Sequence, residues 1–162
     1  MSEAVKSLLA RLASLVPGYA GYADREKRRE SDQALRLTVS ARLGAAREEL
    51  EGRVVDALRE SDYGLVEALD PLARRAATLA DAVRHAPAGY SGLFDAATVG
   101  AAELDRLHAV DLEVREASER LATVVAGAPT PPDTGALKQA EAALRDAEAA
   151  FRRRSEALRE VK

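Results

Sequence analysis

The chain has 162 residues, no cysteine and nearly balanced charge, with 24 Lys+Arg against 27 Asp+Glu for a net charge of −3. That length suits one domain with a core of its own. The missing cysteines exclude disulfides, thiolate metal sites and thiol nucleophiles, and the charge balance excludes a global attraction to nucleic acid or an anionic membrane.

Aromatic residues make up only 4% and tryptophan is absent. Strong helix formers dominate, and chain breakers divide the sequence into five helical stretches. The first is predicted from about Glu3 to Val16, with Val5, Leu8, Leu12 and Leu15 on one face, ended by Pro17 and Gly18. The second runs from about Asp24 to Arg59 with the stripe Val39, Leu43, Leu50, Val54 and Leu58. The third covers about Leu65 to His85. Pro71 interrupts it, so that Asp70 can cap a helix beginning at Pro71 and leave residues 65–69 as a separate turn. The fourth ends near Ala126 and carries Leu104, Leu107, Val114, Leu121 and Val125; its start is set by Asp95 or by Gly100.

The segment 127–135 holds three prolines and reads as a linker. After it, a fifth helix is predicted from about Ala136 to Val161. Leu137, Leu144, Phe151 and Leu158 recur in it every seven residues, and Ala140, Ala147 and Arg154 fill the intermediate seam. No stretch alternates as a strand would.

The expected fold is therefore all-α, an elongated antiparallel bundle of about five helices. Residues 1–126 would form two hairpins, 1–60 and 65–126, and helix 136–162 would pack on the same bundle or on a partner chain. No apolar run nears the roughly 20 residues that cross a bilayer. Lys6 and Arg11 break the first segment as a secretory leader, so a soluble, cytoplasmic protein is expected.

Two loops echo each other. Gly18-Tyr19-Ala20-Gly21 is followed by Asp24, and Gly89-Tyr90-Ser91-Gly92 is followed by Asp95, at a constant offset of 71. The offset also maps Leu43 onto Val114 and Leu50 onto Leu121, as duplication of a helical unit would do. Convergence on Gly and Asp at helix turns explains the loops equally well. The segments PGYAGYADREKRRESD (17–32), HAPAGYSGLFD (85–95) and ELDRLHAVDL (103–112) resemble parts of uncharacterised prokaryotic helical proteins. That resemblance covers about a third of the chain and implies no activity.

The informative anomaly is charge on apolar faces. Traced backward from Val39, the second helix carries Arg36, Asp32, either Arg29 or Arg28, and Arg25 on its core side. Asp111 lies within the stripe of the fourth helix, four residues after Leu107 and three before Val114. A carboxylate there needs a partner, and the sequence offers Arg25, Arg29 or Arg36, near Tyr19, Tyr22 and Tyr90. Such a cluster serves as a network fixing helix register, as a contact for a partner protein, or as a holder of a small anion through arginine forks and tyrosine hydroxyls. Glu26, Glu30 and Asp32 interleave with the basic run and weaken any case for nucleic acid. Arg152, Arg153 and Arg154 are consecutive, spread around the helix, and read as a solvated face.

Asp105 and His108 form one Asp-x-x-His, far short of the paired motifs of a di-metal bundle. GYSG lacks the strand-turn-helix setting of a nucleophile elbow. No catalytic, cofactor or metal site is expected. The first helix is amphipathic and is expected to pack into the bundle rather than lie on a membrane. These features predict a non-enzymatic helical scaffold or interaction module that binds a protein partner or itself. The alternative is binding of a small anion or nucleic acid by the Arg/Tyr cluster.

Overall fold

A computed structural model describes residues 3–22, 24–86 and 100–160. It contains five helices: α1 (Glu3–Leu15), α2 (Arg25–Arg59), α3 (Tyr63–Arg84), α4 (Ala101–Ala126) and α5 (Thr134–Glu160). Helix α2 begins where Asp24 caps it, its carboxylate accepting the Lys27 N–H at 2.9 Å. Helix α4 begins after Gly100, whose N–H donates to the Glu103 carboxylate at 2.9 Å. The alternative cap, Asp95, lies outside the described residues.

Helix α3 differs from expectation. It is continuous through Pro71, and its cap is Asp62, which accepts the Leu65 N–H at 3.0 Å. Pro71 removes one ladder donor and so orphans the carbonyl four residues back. Both Pro71 and Glu67 lie on the exposed face, so the unpaired carbonyl is on the solvent side and the helix need not break.

Helices α2 and α3 pack as one antiparallel pair and α4 and α5 as another; α2 also packs on α4, and α3 on α5. This corrects the expected hairpins 1–60 and 65–126. Helix α1 lies against α4, and the hairpins are α2–α3 and α4–α5. Residues 60–62 reverse the chain at once, which makes α2 and α3 neighbours. The two hairpins stand side by side in the same sense. Arg42 on α2 accordingly meets Glu119 on α4, and Arg53 meets the loop after α4, so α2 and α4 run parallel.

The core is built of leucine, valine and alanine, among them Leu12, Leu35, Leu43, Leu69, Leu107, Leu121 and Leu144. Leu58, expected in the α2 stripe, is 49% exposed. The buried line instead runs Leu43, Ala46, Leu50, Arg53, Ala57, because steps of three and four keep a long helix facing its neighbours.

Helix α5 packs on α4 and α3 of its own chain. Its linker is tied down by Arg53, which donates to the carbonyls of Pro129 at 2.7 Å and Ala128 at 3.0 Å. Asp133 then caps α5 by accepting the Ala136 N–H at 2.7 Å.

Candidate functional site

The charged residues on apolar faces meet at one end of the bundle. Two glycines with positive φ, Gly18 at 85° and Gly21 at 78°, fold residues 16–22 back over the helices. Ser31, fully buried on α2, pins that loop; its hydroxyl donates to the Gly21 carbonyl at 2.9 Å and accepts the Ala20 N–H at 3.0 Å. The loop thereby delivers Tyr19 and Tyr22 into the core, 5% and 1% exposed.

Both tyrosine hydroxyls donate to the same oxygen of Asp111, Tyr19 at 2.7 Å and Tyr22 at a shorter distance. The other oxygen accepts Nε of Arg154 at 2.7 Å. Nη2 of Arg154 reaches Asp32 at 2.8 Å, and Arg36 Nε donates to the second oxygen of Asp32, also at 2.8 Å. Arg36 in turn caps the end of α3 by donating to the Arg84 carbonyl at 3.1 Å. Two arginines and two aspartates thus balance in charge across α2, α4 and α5.

Burial opposes the charge on Arg154, but the Asp111 carboxylate, with Tyr22 and Asp32, outweighs it and holds the pKa well above the ordinary arginine value. Burial first, and the adjacent Asp111 charge second, push both phenols far above the usual tyrosine range.

Asp111 is fully buried in the α4 stripe, where the sequence placed it. Among the described side chains its ionic partner is Arg154 rather than Arg29 or Arg36. Arg29 points outward, Arg36 is taken by Asp32, and the side chain of Arg25 lies outside the described residues, as does Tyr90. Arg28 is buried and donates Nε to the Tyr22 carbonyl at 3.2 Å. Arg154 is not on a solvated face: it is 2% exposed. The signal that locates it was present in the seam Ala140, Ala147, Arg154, whose period carries the third member inward as surely as the first two.

His108, the second member of the Asp105-x-x-His108 spacing, lies buried against the tyrosines. It stacks on Tyr22 with centroids 5.4 Å apart and planes at 19°, and is 3% exposed. Neither of its ring nitrogens has a hydrogen-bond partner among the described residues. Burial lowers its pKa below 6.5, against the opposing pull of Asp111 and Asp105. Among the described residues no group of three or more His, Asp or Glu side chains is arranged to hold a metal.

The gap beside Arg36 and Arg154, lined by Leu35, Val39, Val114 and Phe151, has no room for a water molecule. Among the described residues no helix is long and apolar enough to cross a membrane. No protein-family model, curated protein or solved structure matches the chain.

Proposed function

We propose that the protein is a non-enzymatic helical scaffold or protein-interaction module. The observation that carries this reading is the closure of the ionic cluster. Arg154, Asp111 and Asp32 satisfy one another with Tyr19, Tyr22 and Arg36, and are sealed from solvent. Charges so engaged have no free valence for a substrate, and fixing helix register is the role such groups best fill. The exposed apolar side chains add support. Val55, Leu58 and Tyr63, at 44%, 49% and 66% exposure, gather about the α2–α3 turn, and an exposed apolar group suits contact with another protein.

Affinity capture with the full chain, followed by mass spectrometry, tests the proposal. The expected result is a reproducible protein partner, or the chain itself, retained at about 0.5 M salt and lost in a Leu58→Ser/Tyr63→Ser variant that melts like the parent. The proposal fails if nothing is retained and the chain instead binds polynucleotide, with steep salt dependence, through Arg29.

A further inference from the structure

A second group of arginines lies outside the buried cluster, where Arg11, Arg42 and Arg120 face solvent around a buried Arg115. The end of α1, the middle of α2 and the second half of α4 enclose a groove of about 810 Å³. Four arginines line it, Arg11, Arg42, Arg115 and Arg120, against two carboxylates, Glu116 and Glu119. Glu119 is shared, accepting Nη1 of Arg115 at 2.7 Å and lying in ion-pair contact with Nε of Arg42 at 3.0 Å, while Glu116 is in ion-pair contact with Arg11 at 2.5 Å. Arg120 has no carboxylate partner among the described residues, so the groove holds two positive charges in excess.

From this arrangement we infer that the groove binds a phosphate-bearing small molecule through its dianionic phosphate. Three features support that choice of ligand. The charge excess equals that of a phosphate dianion, and guanidinium forks match phosphate oxygens with paired hydrogen bonds. Arg115 is already oriented: its side chain is 7% exposed and its Nε donates to the Leu15 carbonyl at 3.3 Å, so little ordering remains to oppose binding. Leu15 and Val124 supply apolar wall beside the arginines, and the volume falls within the roughly 300–1,000 Å³ of small-molecule sites. The inference goes beyond the scaffold reading and does not depend on it.

Titration calorimetry of the full chain with sodium pyrophosphate at low salt is the test, with vesicles containing phosphatidic acid as a second arm. Saturable pyrophosphate binding is expected. It should weaken roughly tenfold in Arg120→Gln and in Arg42→Gln, fall with added salt, and stay unchanged in Arg152→Gln, an exposed arginine on α5. Melting curves of all three variants should match the parent. Binding to the vesicles alone, with the same dependence on Arg120 and Arg42, supports the same phosphate chemistry with a lipid as its source. The inference is overturned if neither probe gives a saturable signal, or if Arg152→Gln weakens binding as much as Arg120→Gln does.

Discussion

Replacing Asp111 by alanine breaks the cluster at its centre. Asp111 is 0% exposed and accepts three of the cluster's hydrogen bonds, from Tyr19, Tyr22 and Arg154. In Asp111→Ala the Arg154 guanidinium stays buried with Asp32 as its remaining ionic partner, and two buried hydroxyls lose their acceptor. Removing one partner of a buried ion pair costs about 3–5 kcal/mol. The orphaned hydroxyls place this variant at the upper end, since each unsatisfied buried group costs about 1–3 kcal/mol by itself. A chain of this length shifts in Tm by about 2–4 °C per kcal/mol, so Tm should drop by about 6–20 °C. Far-ultraviolet circular dichroism, with heat and with urea, measures it. In the double variant Asp111→Leu/Arg154→Met the loss should fall short of the sum of the singles by about 0.5–3 kcal/mol, because each single leaves a charge the double removes. If Asp111→Ala melts within about 2 °C of the parent, or the singles simply add, Asp111 and Arg154 do not form the pair described.

Three further perturbations test other parts of the structure. The His108 pKa is lowered from 6.5 by burial, so below that pH the unfolded chain binds more protons than the folded one. Stability is then full above about pH 6.5 and falls as pH drops, by up to about 1.4 kcal/mol per unit. His108→Phe keeps the stack on Tyr22 and should flatten that limb in urea melts taken across the range; an unchanged slope removes His108 as its source. Ser61 sits at φ 58° in a Schellman turn, with the Asp62 N–H donating to the Ala57 carbonyl at 2.9 Å. Ser61→Gly should therefore raise stability by about 0.5–1 kcal/mol, and a lower Tm contradicts the left-handed turn. At Gly21, φ is 78° and an added Cβ would lie 3.0 Å from Leu9 Cδ1; Gly21→Ala should cost about 1–2 kcal/mol, and near-parent urea stability refutes the tight loop.

Much of the fold is legible in the sequence because leucine spacing and breakers act locally. The five helices follow from Pro17, Gly18, Gly127 and the heptads. Helix pairing was not legible, because an apolar stripe says that a face is buried but not against which neighbour. Asp111 could be read as buried since it interrupts a stripe of leucine and valine. Arg154 could not be read as its partner, because its neighbours Arg152 and Arg153 made all three look solvated. Only the alanine seam marked one of them as internal. His108 falls four residues after Leu104 and three before Asp111, on the edge of the stripe, but its stacking partner depends on a loop that the glycines fold.

The cluster also answers a problem that the apolar seam leaves open. Along α5, leucine and phenylalanine recur at 137, 144, 151 and 158, with alanine between them at 140, 147 and 157. A slip of one heptad exchanges one leucine slot for another and changes the buried apolar area little. The same slip puts Ala147 or Val161 where Arg154 belongs. Asp111, Asp32, Tyr19 and Tyr22 then face an aliphatic side chain inside the core, which buried carboxylates do not tolerate. Apolar packing holds the helices together with little preference for register, and the ionic seam excludes the wrong register, as single polar core positions do in coiled coils. Arg53 acts likewise at the far end, where its two bonds to the 128–129 carbonyls fix where the chain turns into α5. On this account Arg154, Asp111, Asp32 and Arg53 serve the uniqueness of the packing, and variants that swap them together for apolar residues should loosen register before they lower stability.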